Sequence, residues 1–264
     1  MPSEPPETLS PSKIDRFTTC PLSFRYSYID KIPEPSTLAQ VKGTITHKVL
    51  ELLYQNEPEK RTSEKSLEIL GTLWNSEETS GSVEEVTADA KEKLTLAKDI
   101  EKLLLSYFEI EDPVKVNCKA AELDITTEIS GHKIRGIIDR LDILEGGELS
   151  IADYKTGQAP GEFFEKAKLN GVLFYALLCE IVFGQRPVET KLIYLKDKVS
   201  IIKIPSEQSI HATKIKIIAV SDAIARACDR DDFRPKPSKL CSYCSYKPIC
   251  PVFADDKTAD ALTT

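Results

Sequence analysis

The stretch Gly136-Ile-Ile-Asp139-Arg-Leu-Asp142-Ile-Leu-Glu-Gly146-Gly147-Glu-Leu-Ser-Ile-Ala-Asp153-Tyr-Lys155-Thr-Gly157 constrains this chain more than any other. Two apolar runs read towards and away from a Gly-Gly turn, the pattern of a β-hairpin whose side chains alternate between faces. Ile137, Asp139, Leu141 and Ile143 form one odd-numbered set, and Leu149, Ile151, Asp153 and Lys155 form another. Both sets are apolar beside the turn and charged farther from it. They share a face only if odd positions pair with odd. A two-residue turn at Gly146 and Gly147 would pair Asp139 with Tyr154 and send the carboxylates to opposite faces, so the pattern predicts an odd-length loop or a bulge. Asp139 then opposes Asp153 or Lys155, with Cβ atoms about 5 Å apart.

Two carboxylates that close repel unless a cation lies between them. A surface salt-bridge ladder is the alternative, but these charges share their face with Leu141, Ile143, Leu149 and Ile151, so the face is buried near the turn and opens into a cleft beyond it. Paired buried carboxylates offer hard oxygen ligands suited to Mg²⁺ or Mn²⁺.

The chain has 264 residues, 41% hydrophobic and 29% charged, enough to bury a core as one large domain or two small ones. No apolar run is long enough for a membrane span, and the N-terminus lacks the basic start and apolar segment of a signal peptide, so an intracellular, cytoplasmic protein without membrane partners is expected. A net charge of −7 argues against a protein that coats nucleic acid nonspecifically, though not against a charged cleft. Cations do cluster at Lys13, Arg16 and Arg25, and again at Arg234, Lys236, Lys239 and Lys247, where they could track a phosphate backbone.

Residues 1–10 read as a disordered Pro/Glu tail. Ser10-Pro11-Ser12 opens a helix by capping logic, a second helix runs from about Val41 to Tyr54, and two more cover roughly 65–74 and 85–110, with polar loops near 55–64 and 76–84. Strands follow over Val114–Glu128, Lys133–Leu144 and Leu149–Asp153, then a helix beyond Pro160, strands near Lys191–Leu195 and Ser200–Ile204, and a last helix over about 207–230. This order indicates an α+β fold around a mixed sheet.

Cys241, Cys244 and Cys250 fall within ten residues, while Cys20 lies at the far end of the chain. In a reducing compartment, four thiolates complete a tetrahedral Zn²⁺ site or an iron-sulfur cluster, and the prolines after Cys20 and Cys250 favour a cluster. Cys118, Cys179 and Cys228 sit in strand or helix patterns and read as core residues.

Taken together, these residues resemble the PD-(D/E)XK nuclease superfamily, and within it the RecB-like exonucleases with an iron-sulfur cluster, which include the AddB nuclease domain and the CRISPR-associated four-cysteine exonucleases. The resemblance rests on Ser10-Pro-Ser12 through Cys20-Pro21 to Phe24-Arg-Tyr26, on Gly43-Thr-Ile-Thr-His47, on Gly136-Ile-Ile-Asp139-Arg, on Asp153-Tyr-Lys155-Thr-Gly157 and on the split cysteines. It implies a restriction-endonuclease-like core with a mixed central sheet flanked by helices, an N-terminal helical region (about 11–110), a nuclease core (about 111–230) and a C-terminal cysteine cluster (about 231–252). One domain over 11–252 with a tail over 253–264 is expected. By the same resemblance His47, Asp139 and Asp153 are divalent-metal ligands with the Tyr154 carbonyl beside them, and Lys155 is the catalytic lysine. Cys20, Cys241, Cys244 and Cys250 hold a [4Fe-4S] cluster, with Zn²⁺ as the alternative. Glu122 matches an upstream acidic position, and Tyr175 matches the tyrosine of a Gln-x-x-x-Tyr motif. Gly171 stands where that motif has its glutamine; Asn170 or Gln158 are candidates to replace it. The implied activity is metal-dependent hydrolysis of DNA, at single-stranded ends, with a helicase as potential partner. The competing readings are a weakly active or inactive DNA-binding module of a helicase-nuclease system, and a Zn-ribbon interaction protein.

Overall fold

The computed structural model describes residues 2–253, and for residues 162–170 the backbone alone. Short helices α1 (Pro11–Thr19) and α2 (Pro21–Phe24) lead through a π turn into α3 (Leu38–Tyr54), α4 (Ser63–Trp74), α5 (Glu77–Val86) and α6 (Ala90–Ile110). Strands β1 (Cys118–Ile129), β2 (His132–Ile143) and β3 (Leu149–Lys155) follow, then α7 (Glu162–Phe183), β4 (Glu189–Tyr194), β5 (Val199–Lys203) and α8 (Glu207–Arg230). The five strands form one sheet in sequence order; β3 pairs antiparallel with β2 and parallel with β4, and β5 returns antiparallel. The parallel step requires a crossover, which α7 supplies. The α+β class with a mixed sheet is therefore the fold observed.

Side chains at the helix starts explain where most of the helices begin. Ser10 Oγ accepts the Lys13 N–H, Thr37 and Gln40 form a reciprocal capping box, and Thr62, Ser76 and Asp89 cap α4, α5 and α6. α7 ends at Gly184, whose φ of +65° is the left-handed conformation that favours glycine.

Three expectations are corrected. The polar loop expected over 76–84 is helix α5, because the Ser76 cap and the acidic first turn of Glu77 and Glu78 favour a helix that buries only Val83. The tail expected to be disordered over 1–10 is ordered at its end: Leu9 is 5% exposed, and it bridges Ile134 in parallel, donating to the Lys133 carbonyl and accepting from the Arg135 N–H. The first strand, expected from Val114, starts at Cys118, since Pro113–Lys115 is a 3-10 turn after the Asp112 cap.

The chain divides into two compact units rather than in chain order. One comprises 36–125 and 136–213; its core joins Val49, Leu50 and Leu53 of α3, Ile100 and Leu104 of α6, and Ala152, Tyr154 and Ile193 of the sheet. The other comprises the described residues of 1–35, 126–135 and 214–264, with the fully buried Phe24 ring packed by Phe17, Tyr28 and Phe233. No helix among the described residues is long and apolar enough to cross a membrane.

Candidate metal centre

The β2–β3 register pairs Arg140 with Ala152, Leu141 with Ile151 and Ile143 with Leu149, so odd positions do pair with odd and Asp139 comes opposite Asp153. The connection is the odd-length loop 144–148, in which the Leu144 N–H donates to the Glu148 carbonyl and Gly147 takes a φ of +87°. Near this loop the face is closed, with Leu141, Leu149 and Ile151 at 0–3% exposure, as the apolar pattern required.

At the open end Asp139 Oδ2 accepts the Tyr154 backbone N–H at 2.7 Å and lies 3.3 Å from His47 Nδ1. His47 comes from α3, which runs close to the strand end: a Cβ on Gly43, one turn earlier, would lie 3.6 Å from Thr156 Oγ1. Lys155 Nζ stands 2.5 Å from the buried Asp153 Oδ2. The sequence motifs of α3, β2 and β3 thus meet in one unit of the fold.

The electrostatics reflect burial of like charges. Burial pushes the Asp153 carboxyl up to about 6, the Asp139 charge adds to the rise, and Lys155 partly offsets it. Burial pulls His47 down, but the Asp139 and Asp153 carboxylates outweigh it and its pKa rises. Lys155 likewise rises, because Asp153 and Asp139 overcome its desolvation, so it is cationic at neutral pH. Glu122 is raised by burial and then by Asp139.

One ligand atom each from His47, Glu122 and Asp139 lies within 4.8 Å of the others. Glu122, a secondary candidate in the sequence, therefore joins this group, while Asp153 stands beside it in its pair with Lys155. A local backbone distortion accompanies this: Glu122 lies within β1 yet has a φ of +48°, an unusual conformation for a residue with a Cβ. The donor set of an imidazole and the carboxylates of Glu122 and Asp139, with the buried Asp153 carboxylate beside them, fits Mg²⁺ or Mn²⁺.

Tyr175 of α7 is also brought to this region. Gly136 in β2 leaves room for it: a Cβ there would lie 2.7 Å from Leu178 Cδ1 and 3.0 Å from Tyr175 Cε1. Burial, then Asp153, Asp139 and Glu122, raise the Tyr175 phenol, which keeps its proton. Gln158 is exposed, and the Asn170 side chain lies outside the described residues. Sequence reasoning missed the opposite face of the hairpin, where Arg140, fully buried, pairs with Asp142 through Nε at 2.9 Å. Two charges two residues apart on one strand were the available signal.

In the other unit Cys20, Cys241, Cys244 and Cys250 line one cavity of about 440 Å³. Backbone N–H groups of Lys236 and Ser238 point at Cys20 Sγ and Cys241 Sγ at 3.5 and 3.4 Å, the polarity a thiolate ligand favours. Among the described residues these sulfurs do not form a group within 4.8 Å of one another. Cys179 and Cys228 are fully buried, and burial pushes Cys179 up to about 12, consistent with core thiols. Of the basic residues nearby, Arg16 pairs with Glu34, Arg25 with Asp30 and Asp231, and Arg234 with Asp232.

The crystal structure of a protein from Eubacterium rectale described as a candidate exonuclease has the same fold, with a TM-score of 0.61 and 13% identity over 96% of this chain and 94% of that one. Gene 69 protein of Mycobacterium phage D29 is 25% identical over 92% of this chain and 96% of its own length, and its namesake in phage L5 is 30% identical over 52% of this chain and 48% of that one. A subunit of the ATP-dependent helicase/deoxyribonuclease of Streptococcus mutans serotype c is 26% identical over 60% of this chain, a match that spans 15% of that protein. The sequence model of the PD-(D/E)XK nuclease superfamily matches residues 8–251, nearly the whole chain and every residue of the centre described above, and the chain belongs to that superfamily.

Proposed function

We propose that this protein is a divalent-metal-dependent DNA exonuclease that hydrolyses phosphodiester bonds at single-stranded ends. The observation that carries this reading is the opposition of Asp139 and Asp153 across the hairpin, with His47 on one side and Lys155 on the other. A Mg²⁺ or Mn²⁺ ion held by His47, Glu122, Asp139 and Asp153, with the Tyr154 carbonyl as a further ligand, would bring positive charge to the scissile phosphate and acidify a bound water. Lys155, held cationic by Asp153, is placed to orient an attacking water and to offset negative charge as it develops on the phosphate. Tyr175, neutral and facing three carboxylates, is a donor to phosphate oxygen.

Cys20, Cys241, Cys244 and Cys250 hold a [4Fe-4S] cluster in this reading. The four cysteines line one cavity of about 440 Å³, which has room for a group larger than a single ion. DNA is the substrate, and the likeness to part of a helicase/deoxyribonuclease makes a helicase the partner to test.

The test is cleavage of end-labelled single-stranded, double-stranded and circular DNA with Mg²⁺ or Mn²⁺ by anaerobically purified protein. Asp153→Ala and Lys155→Ala should each abolish degradation while circular dichroism stays native. Undiminished degradation by both would overturn the reading. Gly171, in place of the motif's glutamine, favours a second reading as a DNA-binding accessory module, which predicts DNA binding without cleavage by the unmodified protein.

A further inference from the structure

Beneath the metal centre, on the opposite face of the sheet, Arg140 is fully buried at the middle of a polar hub. Its Nε donates to both Asp142 oxygens at 2.9 and 3.0 Å, and its Nη2 to Asp142 Oδ2 at 2.9 Å and Glu111 Oε2 at 3.2 Å. Nη1 lies 2.7 Å from the Tyr54 hydroxyl, 2.8 Å from that of Tyr107 and 2.7 Å from that of Tyr154, and it also contacts Glu111 Oε1. Two protons on Nη1 cannot serve four oxygens, so part of the network runs between the oxygens themselves, as where the Tyr107 hydroxyl donates to Glu111 Oε1 at 2.5 Å.

The hub's members come from the elements that carry the metal centre. Tyr54 lies on α3 two turns after His47, Arg140 follows Asp139 on β2, and Tyr154 stands between Asp153 and Lys155 on β3. We propose that Arg140 is a positioning residue for the metal centre: its guanidinium, by binding Tyr54 and Tyr154 at once, sets the distances among His47, Asp139 and Asp153. This rests on the metal-dependent reading above. The physical reason is stiffness, since a planar fork with bonds in several directions holds helix and strands in one arrangement where apolar packing alone would tolerate sliding.

The experiment measures Mn²⁺ affinity of the full chain by calorimetry and electron paramagnetic resonance, alongside thermal melts. Tyr54→Phe and Tyr154→Phe each remove one hydroxyl from the hub and keep the ring. Thr190→Val is the control, removing a fully buried hydroxyl that donates to the Lys203 carbonyl away from the centre. Each tyrosine variant should weaken Mn²⁺ binding about fivefold, about 1 kcal/mol, with Arg140→Lys weaker still. The metal concentration for half-maximal cleavage should rise by the same factor, and in Tyr54→Phe kcat at saturating metal should change little. Thr190→Val should lower the melting temperature without moving Mn²⁺ affinity. Unchanged Mn²⁺ affinity in both tyrosine variants, in a protein whose binding is lost on Asp139→Asn, would overturn the positioning role alone. If the unmodified protein binds no Mn²⁺, the metal-dependent reading fails and this inference with it.

Discussion

Asp139 Oδ2 accepts the backbone N–H of Tyr154 at 2.7 Å, so the carboxylate of one strand is oriented by the residue between the two charged positions of the next. The bond depends on the odd-with-odd register, because a slip of one residue would turn Asp139 to the other face. It also uses a strand N–H at the sheet's open end to hold a side chain.

The Asp153 carboxyl, pushed to about 6, has a definite sign for stability. A pKa raised in the folded state means that the metal-free protein binds extra protons between about pH 4 and pH 6, so this stabilisation is present below pH ~4 and is lost as pH rises through ~6. Asp153→Asn should therefore raise the melting temperature of the metal-free protein at neutral pH and flatten its rise on acidification, while cleavage disappears. Mn²⁺ affinity of the unmodified protein should fall as pH drops through ~6, because protons compete for the ligands. Melts in EDTA and calorimetry across that range check both.

Glu122 combines a strained backbone with a place beside His47 and Asp139. Glu122→Gly relieves a φ of +48° and should stabilise the metal-free fold by about 1 kcal/mol. The same change removes a carboxylate from the metal group and should weaken Mn²⁺ binding at least about tenfold. Thermal melts and calorimetry should move in opposite senses.

Gly136→Ala places a Cβ 2.7 Å from Leu178 Cδ1 and 3.0 Å from Tyr175 Cε1. The overpacking should cost about 1–3 kcal/mol in urea unfolding and reduce cleavage by displacing Tyr175. Adding Leu178→Ala should recover part of the stability.

Anaerobically purified protein should contain iron and acid-labile sulfide and absorb broadly in the visible range. Cys20→Ser should lose both and lower the melting temperature, because a cluster on these cysteines would join segments more than 200 residues apart. Zinc in place of iron would reverse the choice between the two groups.

Most helices were legible because they carry their own start signals, as Thr37 with Gln40 shows for α3. α5 was missed for the converse reason: its apolar face is so thin that capping and charge, rather than periodicity, make the helix. Leu9 was missed because an isolated apolar residue in a Pro/Glu segment says nothing about the strand it will pair with.

The sequence by itself determined the parity of the hairpin, since period-2 alternation puts Asp139, Asp153 and the apolar residues on one face only if odd positions pair with odd, and the structure decided that Asp153 rather than Lys155 opposes Asp139. Only the tertiary structure decided that Glu122 joins His47 and Asp139, and that Arg140 ties Tyr54, Tyr107 and Tyr154 together beneath them. Local patterns record which face a side chain takes. Which distant elements meet at that face depends on how helices and sheet pack, and no spacing along the chain encodes it.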